Sequence, residues 1–474
     1  MARTPEQWLE TLTQRLDTRM PYVTQMRRYR NGDAPLPEMG KNLRASWLAF
    51  QRKSRANWGG YAVEARCDRI VYAGVTVGGS VDSDEAKAAS RIARDNRLDV
   101  AFADAIDNCL STGYGYVVVG VGEDDRAVVT SEPPEQVIVA QDPIQSWRAR
   151  AALKVWRDDE ETLDYATVWA DGVLTKFSRP APILPTTTTT PTRAGGGGWE
   201  RVGAQVPYTG PLPVFELEGP VGTSALESVQ WTGGLAMLDG HTDLIDAINH
   251  GVLNRLVTMA MQAFRQRALR MRDGQGLPDK DEAGNVIDYA RVFEPAPGAL
   301  WELPPEVDSI WESQQTNASD LLTAVKDDLR SFGALTAAPM PGVSSDSANQ
   351  SAEGARSGKE GTASKASKFL RRGRPVLNGA MVAALRVEGF PAEDTVEVKF
   401  EPTDRITLAE KMDAASKAIA AGMSLPVVQR DILGWTEEQI AEDERNRRKT
   451  AAQSFIAKLP PAAPSAPTPP EPTD

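Results

Sequence analysis

Two amphipathic helical stretches separated by a turn-rich excursion constrain this chain most. The first runs over 242–271, an excursion of about forty residues follows, and the second runs from Asn317 to Phe332. At about 1.5 Å per residue the first is a rod of about 45 Å. Asp243 and Asp246 stand near its start, and Arg265, Arg267, Arg270 and Arg272 crowd its end, a polarity that complements the helix dipole. Asp273-Gly274 stops it. Within the excursion, 286–293 and 299–303 read as short strands around turns. In the return helix Leu321, Val325, Leu329 and Phe332 form one apolar stripe, and Gly333 marks its end. A hairpin with a small insert at its tip and a loop at its base suits a shaft or channel wall better than a pocket.

That loop is 337–350, where Pro339, Pro341 and Gly342 forbid helix and small polar residues follow. A long helix from about Ser351 to Val387 comes next. Gly373 and Pro375 lie inside it, so a kink is expected there. A strand over 395–400 and a charged helical module over 407–422 and 425–457 complete the pattern, and a Pro-rich tail reads as disordered.

The first half is mixed. Trp8, Leu12, Leu16 and Met20 recur at four-residue spacing over 5–30, with Pro21 interrupting. A helical stretch over 42–72, a strand over 71–77, an exposed, charged helix over 82–96 and a helix over 100–113 follow. The β-branched run from Gly115 to Val121 is a strand, with further strands expected at 126–131, 137–140, 151–157, 164–170 and 213–217. Gly222 to Leu226 reads as a turn into helix, N-capped by Thr223 or Ser224. The low-complexity stretch 185–198 reads as a flexible surface loop. The fold class is α+β.

Little here does chemistry. The chain has two histidines, His241 and His250, and two cysteines, Cys67 and Cys109, too few and too scattered for a metal cluster or a disulfide framework. Gly354 to Glu360 resembles a phosphate loop but is one residue short, lacks Ser or Thr after Lys359 and follows no buried strand. Asp279 to Gly284 faintly resembles a calcium loop, with Ala283 and Ala290 where oxygen ligands belong. An enzyme is not expected, nor a cofactor or metal. The net charge of −12 argues against tight binding of phosphate, though not against a wall that lets nucleic acid pass. Arg371, Arg372 and Arg374 are candidates for phosphate contact or for pairing with acidic neighbours in an assembly; the short run does not choose. The longest apolar run, near 116–121, is too short to span a bilayer, so no membrane partner is expected.

The order of these parts resembles a portal protein of tailed double-stranded DNA phages, of the siphophage type with actinobacterial hosts. The resemblance covers roughly 5–458. It is carried by Arg28-Tyr29-Arg30-Asn31-Gly32, Asn57-Trp58 with Ala65 to Arg69, the Gly113 to Val117 strand entry, Pro213-Val214 with Gly222 to Ser224, and Ala409 to Ala414 with Ile432 to Trp435. The resemblance implies a ring homo-oligomer, usually of twelve subunits, at one capsid vertex of the virion, assembled from chains made in the host cytoplasm. DNA enters and leaves through its tunnel. A terminase motor, a head–tail adaptor, and major capsid and scaffolding proteins are the implied partners. It also implies a wing over 1–241 with 354–404, the latter the kinked long helix and return strand. Stem helices would span 242–272 and 313–335, a small α/β clip 273–312, a tunnel loop 336–353 and a helical crown 405–458, with a tail from 459. The DNA-facing residues would then be Gly342, Val343, Ser344, Ser345, Asp346, Ser347 and Asn349, small and without a cation, as a non-sticky tunnel needs. The arginines at 265, 267, 270, 272, 371, 372 and 374 would be basic contacts on stem and helix. The competing expectation is another virion structural protein, such as a minor capsid or head-completion factor.

Overall fold

The computed structural model describes residues 3–37, 45–80, 83–181, 197–208, 210–263, 267–271, 279–280, 284, 286–288, 307–312, 318–340, 352–391, 395–404, 408–435 and 437–457. Helix α1 spans Pro5–Arg30 and opens with a reciprocal cap: Thr4 Oγ1 accepts from Gln7 N at 3.3 Å and Gln7 Oε1 accepts from Thr4 N at 3.0 Å. Pro21 does not interrupt it. A mid-helix proline costs about 3 kcal/mol, and here Tyr22, Val23 and Met26, all fully buried just beyond it, outweigh that cost. The expected helix over 42–72 is two, α2 (Ala45–Ser54) and α3 (Trp58–Cys67). Asn57 divides them by capping α3, its Oδ1 accepting from Gly60 N at 2.8 Å. Helix α4 (Asp84–Asp95) is not the exposed element expected, since Ala86, Ala88, Ala89 and Ile92 are buried.

Helix α5 (Leu98–Thr112) ends at Gly113, whose φ of 90° is left-handed backbone that glycine adopts without strain. The chain turns directly into β2 (Tyr114–Val121). A Cβ on Gly115 would stand 2.0 Å from the Ala105 carbonyl oxygen, so only glycine lets α5 lie against this strand.

Strand β2 is central in an antiparallel sheet ordered β3–β2–β9, with β3 at Ala127–Glu132 and β9 at Val214–Glu218. Alternation sorts its two faces. Val117, Val119, Val129 and Leu217 pack into the core built with α5 and with α8 (Ala352–Val387). Tyr116, Val118 and Val214 face the other way, onto a five-stranded meander. That meander runs β4 (Val137–Gln141), β5 (Ala149–Asp158), β6 (Leu163–Ala170), β7 (Val173–Pro180) and β8 (Glu200–Pro207) in sequence order. Its far face, with Leu153, Val155, Val168 and Phe177, covers Trp8, Leu9, Leu12 and Leu16 of α1. The layers are therefore helices, three-stranded sheet, five-stranded sheet and the start of α1.

Strands β7 and β8 were not expected from the sequence. They pair antiparallel, which makes the Thr/Gly-rich stretch the connection between two neighbouring strands; residues 182–196 of it lie outside the described residues. Nor does Gly222 to Leu226 enter a helix. Val221–Thr223 (β10) pairs with Thr232–Gly234 (β11), and helix α6 begins only at Thr242.

Helix α6 spans Thr242–Ala263, about 33 Å at 1.5 Å per residue and shorter than the sequence suggested. Arg267–Met271 is strand β12, paired with β13 (Val307–Glu312). Arg267 and Arg270 thus belong to a strand and not to the last turn of α6; Arg265 and Arg272 lie outside the described residues. A sequence with ordinary helix propensity is held extended by backbone pairing with a strand far along the chain. The strands expected at 286–293 and 299–303 fall outside the described residues, save 286–288, where Val286 bridges Lys280.

Helix α7 spans Ala318–Thr336 and runs through Gly333 instead of ending there. A Cβ at Gly333 would meet Met340 Cγ at 2.7 Å; the glycine makes room for the chain folding back over it. Helix α8 is unbroken across Gly373 and Pro375, and strand β14 (Val396–Phe400) returns to pair with β1 (Tyr72–Val77). Helices α9 (Leu408–Ala420), α10 (Leu425–Val428) and α11 (Glu437–Ala457) follow, with a π-helical turn at Gln429–Leu433 closed by Gly434.

Candidate functional site

The α6–α7 hairpin roots in the body through α6. Tyr29 donates to Asp246 Oδ2 at 2.7 Å, and Ala56 N donates to Asn249 Oδ1 at 3.3 Å. Desolvation raises the Asp246 carboxyl above its ordinary range. Ile245, Ile248 and Leu253 of α6 and Val325, Leu329 and Phe332 of α7 are buried. The two helices approach closely: a Cβ at Gly251 would stand 2.9 Å from Val325 Cγ2. Leu321 of the expected stripe is only half-buried. On the outward side, Met259, Leu322 and Ile310 are exposed apolar residues, so the hairpin buries one flank and leaves apolar surface on another.

At the other end of α7 the last carbonyls need donor partners, and α7 has no basic residue in its own last turn. The body supplies the donors. Lys365 Nζ reaches the Leu335 carbonyl at 2.6 Å, Arg66 Nη2 reaches that of Thr336 at 3.0 Å, and the Thr362 hydroxyl donates to that of Ala337. The Tyr61 hydroxyl donates to the Pro339 carbonyl. Two cations at a helix C-terminus complement its dipole. They also crowd each other. Burial lowers Arg66 to about 10. Desolvation, then Arg66 and Lys368, lower Lys365, and desolvation, then Lys365 and Arg66, lower His241. This clamp fixes residues 335–340, the segment from which 341–350 departs.

The residues expected to face DNA, Gly342, Val343, Ser344, Ser345, Asp346, Ser347 and Asn349, lie outside the described residues, as do Arg265 and Arg272. Arg267 and Arg270 sit in β12, where exposed Arg270 stands 3.9 Å from Asp308. Of the arginines of α8, Arg371 and Arg374 line one groove and Arg372 does not join them. Arg372 Nη2 donates to the Gly219 carbonyl at 3.1 Å, Arg374 lies 3.7 Å from Glu397, and Arg371 is exposed. Gly354 to Glu360 lie within helix α8, not in a loop. Among the described residues, no group of His, Cys, Asp and Glu is placed to hold a metal, and no helix is long and apolar enough to cross a membrane. Sequence reasoning missed the clamp. Its four donors lie 25 to 278 positions from their acceptors, and only Arg66 fell in a segment already singled out.

Comparison with known proteins adds the following. The family described as "Phage portal protein, SPP1 Gp6-like" matches residues 9–453. No curated protein matches the sequence. Among solved structures, the chain is similar to one from the virion of a native gene transfer agent (GTA) particle, at 15% identity and a TM-score of 0.46. It is also similar to chains from the neck of a native GTA particle computed with C12 symmetry (14%, 0.45) and the neck of an empty GTA particle computed with C6 symmetry (16%, 0.45). Each likeness covers 87% of this chain and 99% of the other.

Proposed function

Since the chain belongs to the SPP1 Gp6-like family of phage portal proteins, a structural component of the virion, we propose that it forms a closed ring of about twelve subunits at one capsid vertex. The central channel passes double-stranded DNA during packaging and ejection. The outer faces dock the terminase motor, the head–tail adaptor, and the capsid and scaffolding proteins. The phage is a siphophage of an actinobacterial host. The observation that carries the reading is the family match over 9–453. The hairpin supports it, because a wall of repeated subunits needs a long element with apolar surface left for its neighbour.

In this reading 1–241 with 354–404 is the wing, and the pairing of β1 with β14 supports joining those two parts. The stem is 242–272 with 313–335, its first helix ending by 263 and its tip closed by β12 and β13. The clip is 273–312, the tunnel loop 336–353 and the crown 405–458. The Gly373–Pro375 position bends α8 from the channel toward the wing; an α8 resolved straight through Pro375 inside a ring would remove that role.

The test addresses the channel. Lysines at Ser344 and Ser345 add phosphate contacts on every subunit, so DNA packaged per capsid should fall, and fall more at low salt than at high salt. Equal packaging by wild type and variant across a salt series would withdraw the loop from the channel.

A further inference from the structure

Basic side chains from three elements meet at the C-terminal end of α7, and the carbonyls they serve do not use all of their donors. Arg66 of α3 gives Nη2 to the Thr336 carbonyl at 3.0 Å, and Lys365 of α8 gives Nζ to that of Leu335 at 2.6 Å. Arg66 Nε is buried and, among the described residues, meets no acceptor. An ammonium has three N–H groups, so Lys365 keeps donors beyond its bond to Leu335. Lys368 stands one turn further along α8, exposed, and its charge acts on Lys365. His241, half-buried just before α6, feels both Lys365 and Arg66.

Carboxylates do not balance this group. Burial, then Arg66 and Lys368, lower Lys365, with no carboxylate opposing them. Asp239 acts on His241, but its oxygens are already taken: Oδ2 accepts from the Tyr22 hydroxyl and Oδ1 from Ala225 N, both at 2.9 Å. Glu64, two residues before Arg66, pairs with Arg30 at 3.0 Å. The end of α7 offers only about half a negative charge, against two full cations at its carbonyls and a third beside them. A buried N–H without a partner costs about 1–3 kcal/mol. An anion with several oxygens would meet both needs at once, the charge and the vacant donors. A tetrahedral oxyanion suits donors that arrive from two helices better than a planar carboxylate does.

We propose that Arg66, Lys365 and Lys368 form a seat for a phosphate-type oxyanion at the foot of the 341–350 segment. His241 stands beside the seat and reports its occupancy. The seat does not depend on the ring reading. That reading supplies one source of the anion, the backbone phosphates of DNA in the channel; free phosphate is the other.

The experiment follows the titration of His241 in the full-length protein, by histidine C2 hydrogen exchange and mass spectrometry over about pH 5 to 8. It is run in sodium sulfate and in sodium chloride of equal ionic strength. Sulfate is the probe because its own charge is fixed over that range. A bound oxyanion favours the imidazolium, so the His241 midpoint should rise by about half a pH unit in sulfate. Exposed His250 is the internal reference and should not move between the two salts. Lys368→Gln removes an exposed cation that, among the described residues, donates to none of the α7 carbonyls, so the clamp stays. Its sulfate affinity, read from the His241 midpoint against sulfate concentration, should fall about fivefold. Lys326→Gln removes the same charge from the exposed middle of α7 and should leave that affinity unchanged. Equal His241 midpoints in the two salts, or equal losses of affinity in the two variants, would overturn the seat. Short double-stranded DNA then separates the sources. DNA that lifts the His241 midpoint in wild type but not in Lys368→Gln would put backbone phosphate in the seat. DNA without effect on protein that answers sulfate would assign the seat to a free anion, and would leave the ring reading to its own test.

Discussion

Breaking the clamp under α7 should loosen the base of the 341–350 segment without unfolding the protein. Lys365→Met removes one charged donor from the Leu335 carbonyl. A hydrogen bond to a charged group is worth about 1.5–3 kcal/mol, and a cation at a helix C-terminus adds about 0.3–1 kcal/mol. Three effects reduce that. The contact is open to solvent, Lys365 is itself desolvated, and Arg66 and Lys368 repel it. A net loss of about 1 kcal/mol follows, which is about a fivefold rise in local opening. Arg66→Met should cost about 2 kcal/mol, because it leaves the carbonyl of Thr336, a residue only 2% exposed, without its charged donor. The double variant should lose more than the sum, since each single change also removes the repulsion between the two cations, an offset that the double variant gains only once. Hydrogen exchange of peptides over 330–340 reads the opening, and urea unfolding of the same variants reads global stability. Packaging efficiency should fall with exchange protection. Protection unchanged in both single variants would show that these donors do not hold the segment.

Two further outcomes follow from the packing of β2. Gly115→Ala places a methyl 2.0 Å from the Ala105 carbonyl oxygen, so it should cost about 3 kcal/mol or more; a urea midpoint within experimental error of wild type would contradict the α5–β2 packing. Burial raises Glu216 from 4.5 to about 7, against the hydrogen bonds it accepts from Tyr116 at 2.7 Å and Gln141 at 2.7 Å. The folded state then holds this proton more tightly than the unfolded chain. The stabilising contribution of the neutral carboxyl is full below about 4.5 and is lost as pH rises toward about 7. Glu216→Gln should flatten that part of the stability profile, and a variant whose stability falls as steeply as wild type between pH 5 and 7 would rule this out.

Local signals in the sequence carried much of the fold. The four-residue spacing of Trp8, Leu12 and Leu16 specifies a helix, and Gly113 before the β-branched run specifies a boundary, both by short-range physics. The order of hairpin and long helix was legible for the same reason. The misreadings share one cause, since a local preference of about 1–3 kcal/mol lost to packing that the sequence window does not contain. Pro21 and Gly333 stay inside helices because Tyr22, Met26 and Phe332 are buried beside them. Arg267–Met271 is extended because its partner strand lies about forty residues on. Strand β8 was hidden behind the low-complexity stretch, and every residue of it is exposed, so it lacks the half-buried alternation that marks a strand. The clamp joins α3 and α8 to α7 across the whole fold, which no spacing rule reports.

The central claim is that this chain closes into a ring with a hole. Negative-stain images of the purified protein, with native mass spectrometry of the same sample across several salt concentrations, test it most directly. The account predicts closed rings of about a dozen subunits with a central channel. A stable monomer at high protein concentration under every salt condition, with no ring in any image, would contradict it.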